Sequence, residues 1–281
     1  MSDREILHIN YDGHILSFKE QQCFESRGKS TIAMVQEAFD SLDSHLKASL
    51  KPFSASFYLG DKNPNPFSYC SQAYDDRTIP CHAFHQWKEI GIEDYDSVCD
   101  EMQKKGAFPP KDERLFWIGN AATHPTRLIF IEIAKARDDI LAIDSGFWHG
   151  PIGSRKQTTN QYISLPDHCN YKYLMDIQGN GYSGRAKLLF HSNRPVFYQD
   201  RPRNEYWFFQ MVPYTHYIPV KEDFSDLQEK LDWAKTHPKE CNAIAANALQ
   251  FAKTNLRRAN AIQRYQEILL MLGDLKERTI T

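Results

Sequence analysis

No stretch of this chain approaches the roughly 18 to 20 uncharged apolar residues that a membrane-spanning helix requires, which excludes a helical span. The opening Met1-Ser2-Asp3-Arg4-Glu5 lacks the cationic-then-apolar layout of a secretory leader, and Arg278-Thr279-Ile280-Thr281 is no retention signal, so a cytoplasmic protein is expected. Cysteine is sparse and scattered. Cys23, Cys70, Cys81, Cys99, Cys169 and Cys241 show no CxxC or other metal-ligand spacing, and reduced thiols are the expectation. Neither sign of charge dominates: 34 Lys and Arg against 36 Asp and Glu leave a net charge of −2, too balanced for whole-surface attraction to nucleic acid or anionic lipid. Any phosphate must therefore be held locally. Internal repeats and low-complexity tracts are missing too. What is there, 281 residues with 41% apolar and 13% aromatic content, suffices for a buried core and for about two domains of roughly 150 residues each.

The pattern along the chain reads as alternating strands and helices. A hairpin is predicted over residues 5–18 around Asp12-Gly13, and one amphipathic helix over 30–50 from Ile32, Val35, Phe39, Leu42 and Leu46. Ala55-Ser56-Phe57-Tyr58-Leu59-Gly60 reads as a strand stopped by Asp61-Lys62-Asn63-Pro64-Asn65-Pro66, which places Asp61 at a strand's carboxyl end. Leu115 to Ile118 is a second strand, running through Gly119-Asn120 into a helix from Pro125 to Ala136. The Gly, Ser, Thr and Asn-rich stretch from His149 to Asn160 marks a domain boundary, expected at 150/151. Beyond it come a strand at 171–177, a glycine loop, a short helix from Ala186 to Phe190, and strands at 195–198 and 217–220. A capping box of Ser225 and Gln228 then opens a helix, and two long helices follow. The expected division is 1–150, 151–256 and a C-terminal helical segment, 257–281, packing back on the first domain.

The most informative segment is Asp176 to Arg185. Three glycines leave backbone N–H groups unobstructed, and Ser183 and Arg185 add a hydroxyl and a planar cationic fork suited to two phosphate oxygens. Gly179-x-Gly181-x-x-Gly184 is one residue short of the dinucleotide fingerprint, and no P-loop lysine follows. A diphosphate is one natural guest. A plain tight turn between strand and helix satisfies the same spacing. Likewise, Asp61 before a proline-rich turn is either a ligand-facing carboxylate or a turn former. Asp94-Tyr95-Asp96 has the DxD form that holds a divalent cation in other transferases, but its acidic surroundings without a flanking strand read as a solvated helix start. His82, His85, His124, His168 and His216 form no HExxH set, and no serine sits in a GxSxG elbow, which argues against zinc and serine hydrolases. Arg194, Arg201 and Arg203 read as a solvated basic loop.

The run Asp167-His168-Cys169-Asn170-Tyr171-Lys172-Tyr173-Leu174 leading into Gly179-Asn180-Gly181-Tyr182-Ser183-Gly184-Arg185 resembles glycosyltransferase family 90. The likeness continues through Val196-Phe197, Glu205-Tyr206-Trp207-Phe208-Phe209, His216-Tyr217-Ile218-Pro219-Val220 and Asp226-Leu227, and it covers most of residues 55–256. It implies an α/β, GT-B-type architecture, two Rossmann-like domains facing a cleft, with inverting transfer of glucose or xylose from a UDP-sugar donor and no required metal or other cofactor. By the same resemblance Asp61 is the catalytic base, while Asn120, Arg127, Asn180, Gly181, Tyr182, Ser183, Gly184 and Arg185 bind the donor, and Glu205 matches an acid that holds the nucleotide ribose. Ile118 stands where family members often carry Arg, which puts one cationic donor contact in doubt. The expected acceptor is a glycan rather than an extracellular protein repeat. Two competitors stay open: a metal-dependent transferase using Asp94 and Asp96, and a noncatalytic sugar-nucleotide or glycan-binding protein.

Overall fold

The computed structural model describes residues 5–23, 25–62, 65–146, 148–149, 156–157 and 162–274. The chain forms two compact units, one drawn from Met1–Tyr95, Arg203–Phe209 and Arg257–Thr281, the other from Asp96–Pro202 and Gln210–Leu256.

The first unit opens on a hairpin of β1 (Ile6–Tyr11) and β2 (Leu16–Gln21). Asp12 closes it by accepting the backbone N–H groups of His14 and Ile15, each at 2.8 Å, and Gly13 takes φ +103°, a conformation that favours glycine. Two helices follow, α1 (Glu25–Asp40) and α2 (Ser44–Ser49), where a single helix was expected. The break occurs because Asp43 turns its carboxylate onto the N–H of His45 at 2.8 Å and caps a new helix. β3 (Phe53–Tyr58) then pairs antiparallel with β1, giving the order β2-β1-β3. Leu7, Ile9 and Tyr11 alternate inward on β1 and are buried.

The second unit is built on a parallel sheet. It takes α3 (Tyr95–Gly106) after that helix's first residue, then β4 (Asp112–Gly119), α4 (Pro125–Lys135) and β5 (Ile140–Asp144). A small antiparallel pair, β6 (Trp148–His149) with β7 (Lys156–Gln157), stands apart from the main sheet. β8 (Tyr171–Asp176), α5 (Ala186–Leu189), β9 (Val196–Gln199) and β10 (Ile218–Val220) complete a five-stranded sheet in the order β10-β9-β8-β4-β5, parallel throughout. Its strands read as short apolar runs because both faces are buried: on one, Leu115, Trp117, Tyr173, Met175, Phe197 and Ile218 pack with residues of α4, α6 (Leu227–Thr236) and α7 (Pro238–Asn255) in one core, and on the other Phe116, Leu174 and Val196 are buried too. The last helix, α8 (Arg258–Asp274), returns to the first unit and packs on α1, its stripe of Ala261, Tyr265, Ile268 and Leu272 buried.

Three expectations are corrected. The compact units do not part at 150/151, since β4 and β5 before that point share one sheet with β8, β9 and β10 after it; part of the stretch from His149 to Asn160 lies outside the described residues. Among the described residues, only the second unit is Rossmann-like. The other carries an antiparallel three-stranded sheet where a second Rossmann-like domain was implied. The capping box at α6 does not form, because Asp226 occupies the cap position and its carboxylate accepts from Lys221 N at 2.9 Å, while Gln228 turns to Asp232.

Candidate active site

Numbered along the chain, the five parallel strands stand in the doubly wound order 2-1-3-4-5. The order reverses between β4 and β8. Loops leaving the carboxyl ends of those two strands diverge there, the position at which doubly wound sheets bind ligands: the first carries Asn120 and leads into α4, whose first turn holds Arg127, and the second carries the 179–185 segment.

The glycine loop is a tight, tethered turn. Gly179 N donates to the Tyr182 carbonyl at 2.9 Å, and a Cβ at Gly179 would meet that oxygen at 2.9 Å, so the turn requires glycine there. Ser183 Oγ donates to Asp176 Oδ1 at 2.7 Å, which pins the loop to the end of β8. Asn180 is exposed at the tip, while Gly181, Tyr182 and Ser183 are buried and Gly184 is half-buried. Lys187 Nζ donates to the Gly184 carbonyl at 2.7 Å, placing a cation at the loop's far side. The helix beyond has only four residues, so its dipole contributes little, and charge at this loop comes from side chains instead.

Arg185 reaches across to β4, where its Nη1 donates to the Ile118 carbonyl. Ile118 thus contributes a backbone acceptor at the position where a cationic side chain was in doubt. Burial lowers the Arg185 pKa, with Asp176 pulling it back up and Arg201 pushing it down, so the three charges feel one another. Arg127 faces the chain rather than open space: Nε donates to the Gln178 carbonyl at 2.8 Å, Nη1 to the Asn120 carbonyl at 3.0 Å, and the guanidinium lies 5.6 Å from the Trp117 ring centroid. It braces both loops. Asn120 caps the short turn after β4 by accepting from Ala122 N at 3.0 Å.

His168, beneath the same strands, is buried edge-on against Phe116. Burial, then the Arg185 charge, hold its pKa down to about 3, so the ring is neutral near pH 7. A folded value below the unfolded one of about 6.5 makes the stability complete above that pH and progressively lost as pH falls toward 3. Urea unfolding at pH 7 and pH 5 is expected to show the native chain losing about 2 kcal/mol more stability than His168→Gln over that interval. Equal losses would contradict a buried neutral imidazole.

In the first unit, Asp61 lies in the turn after β3, and its carboxylate accepts from Arg27 Nη2 at 2.8 Å. Arg27, on α1, also donates to Glu5 at 3.2 Å and to the Leu59 carbonyl at 2.9 Å, so one guanidinium ties the start of β1, the end of β3 and Asp61 together. The Asn63-Pro64 part of the expected turn lies outside the described residues. Glu205 is buried and belongs to this unit, not to the one with the glycine loop, because Asn204 and Ser71 exchange backbone hydrogen bonds at 2.9 and 3.0 Å. Cys70 sits between: burial pushes its thiol up to about 12, with Arg203 opposing and Asp61 and Glu205 reinforcing the shift.

The helix start expected at Asp94-Tyr95-Asp96 is found, whereas the expectation for Arg194 and Arg201 changed. Asp94 precedes α3 and Asp96 lies in its first turn, where negative charge complements the helix N-terminus. Among the described residues, no three His, Cys, Asp or Glu side chains are grouped to hold a metal ion. Arg194 and Arg201 are buried, not solvated: Arg194 ties the carbonyls of Gly106, Phe108 and Cys169, and Arg201 pairs with Asp176 at 2.7 Å with both side chains fully buried. Reading the sequence alone missed Arg27, Asp176 and Arg201. A charge closing an apolar strand, as Asp176 does, and a cation two residues beyond the end of β9 were the available signals.

The sheet order and the two loops at its reversal define the class: a Rossmann-like α/β protein with Arg127 and Arg185 gathered at the carboxyl ends of its strands. The profile of glycosyl transferase family 90 matches residues 52–275, and the chain belongs to that family. Protein O-glucosyltransferase 2 of Danio rerio is 29% identical over 223 residues, 76% of this chain and 44% of that protein. Protein O-glucosyltransferase 1 of Homo sapiens is 38% identical over 95 residues, 34% of this chain and 24% of the relative, and uncharacterized protein 035R of Invertebrate iridescent virus 3 is 23% identical over 257 residues, covering 76% and 23%. The chain spans less than half the length of these curated relatives.

Proposed function

We propose that this chain is an inverting glycosyltransferase that moves glucose or xylose from a UDP-sugar to a hydroxyl of a glycan acceptor in the cytoplasm, with the parallel-sheet unit as the donor-binding lobe. The observation that carries this reading is the tethered glycine loop with Arg185 at the sheet's switch point, in a chain of family 90. Two of the relatives are named O-glucosyltransferases, which favours glucose over xylose. An inverting transfer needs a carboxylate to take the acceptor proton as the hydroxyl oxygen attacks the anomeric carbon opposite the departing UDP. Asp61 fills that role, oriented by Arg27. As the sugar leaves, negative charge grows on the UDP diphosphate, and Arg185 with the loop amides stabilises it. These groups supply positive charge without a resident cation, so a metal is not required on this reading. Asn180 to Gly184 line the phosphate end of the site, Arg127 and Asn120 hold the facing loop in shape, and Glu205 is the weakest of the carried-over assignments because it lies in the other unit.

A screen of UDP-sugars for acceptor-dependent UDP release, repeated in excess EDTA, tests the reading. Activity with UDP-glucose or UDP-xylose that persists in EDTA supports it. Loss of all activity in EDTA favours the Asp94 and Asp96 alternative, and donor binding with no turnover under any acceptor favours a noncatalytic binder. Arg185→Ala is expected to weaken UDP affinity by about tenfold or more, since a hydrogen bond to a charged group is worth roughly 1.5 to 3 kcal/mol. Calorimetric titration with UDP checks it.

A further inference from the structure

Beneath the glycine loop lies a buried charged cluster that no sequence motif announces. Asp176 closes β8 with its carboxylate fully buried, accepting from Ser183 Oγ at 2.7 Å on one oxygen and from Arg201 Nη2 at 2.7 Å on the other. Arg201 also donates from Nε to the Gln199 carbonyl at 3.0 Å and from Nη2 to the Asp176 carbonyl at 3.2 Å, and its guanidinium stacks 4.0 Å from the Tyr198 ring centroid. Gln199 in turn accepts from Gln178 N at 3.0 Å, so the ends of β8 and β9 and the root of the loop are cross-tied. Arg201 is thereby a fixed group, not a loop side chain free to wander.

The cluster is unbalanced. Among the described residues Arg201 takes the Asp176 carboxylate while Arg185 bonds the Ile118 carbonyl, and the neighbouring His168 is neutral near pH 7. Hydrogen bonding is incomplete in the same place: Arg201 Nη1 and Arg185 Nε are buried and find no acceptor among the described residues. A buried N–H without an acceptor and a buried charge in excess each raise the free energy of the folded chain. An anion in contact with both N–H groups would relieve both.

We propose that Arg201 is a second cation for the donor's diphosphate, held in place by Asp176, and that its Nη1 and the Nε of Arg185 are the N–H groups the anion takes up. This rests on the reading that the glycine loop and Arg185 bind a nucleoside diphosphate. A purely structural pair would leave nucleotide binding indifferent to Arg201 once the fold is kept. A second diphosphate cation makes affinity for UDP, but not for uridine, depend on it.

The test is calorimetric titration of UDP and of uridine into the full chain and three variants. Asp176→Asn combined with Arg201→Met removes both members of the pair, so neither is left buried without its partner, and keeps the net charge of the cluster unchanged. It is expected to bind UDP about tenfold or more weakly with uridine binding unchanged. Arg201→Lys keeps the ion pair but lacks the second arm of the fork, and is expected to weaken UDP in the same direction. Native UDP affinity in both Arg201 variants, with Arg185→Met weakened, overturns this inference and leaves the donor-site reading standing. Native affinity in Arg185→Met overturns the donor-site reading and this inference with it.

Discussion

Asp61→Asn is expected to lower turnover by about 10² to 10⁴-fold, the usual contribution of a positioned general base, while UDP affinity stays at the native value. The substitution keeps size and shape, and the amide oxygen can still accept from Arg27, whose Nη2 holds the native carboxylate at 2.8 Å. What it removes is the ability to take a proton from the acceptor hydroxyl. Donor binding is assigned to groups of the other unit, so the two measurements are expected to separate: rates of UDP release fall, and the calorimetric titration does not move. Near-native turnover would take Asp61 out of the mechanism and return it to the turn-forming role that its neighbours also permit. A parallel loss of UDP affinity would mean that the side chain serves the donor instead.

The largest expected effect on stability lies at Asp176. Asp176→Ala leaves Arg201 buried without its counter-charge and Ser183 without the acceptor that pins the loop. Breaking one side of a fully buried ion pair costs about 3 to 5 kcal/mol, whereas exchanging both sides together is often nearly neutral. Urea denaturation is therefore expected to show a loss of that size for the alanine variant and a far smaller one for Asp176→Asn with Arg201→Met. A loss below about 1 kcal/mol for Asp176→Ala would mean that the pair is effectively solvated. The contrast also separates stability from binding, because the double variant is the one expected to fold well and still bind UDP poorly.

Much of the second unit was legible in advance. The strands at 171–177, 195–198 and 217–220 and the helices from Pro125 and Pro238 were visible as apolar runs bounded by glycine, proline and capping residues, and they fall within a residue or so of β8, β9, β10, α4 and α7. The single helix expected over 30–50 failed for a local reason: a capping aspartate competes with helix continuation, and periodicity alone does not weigh that competition. The expected boundary near residue 150 failed for a non-local one. A polar, glycine-rich stretch looks the same whether it separates two sheets or merely connects two strands of one.

By itself, the order of residues determined the alternation of elements, because that is written in short-range spacing and composition, and the resemblance carried by its motifs pointed to the family and to Asp61 and the 179–185 loop as candidates. Only the tertiary structure decided which strand lies beside which, and hence that the loops after β4 and β8 share the sheet's switch point. It also decided that Arg127 braces backbone carbonyls, that Glu205 keeps company with Cys70, and that Arg201 is a buried partner of Asp176 rather than a solvated cation. Burial and charge pairing between residues 25 positions apart are properties of packing, and no local pattern encodes them.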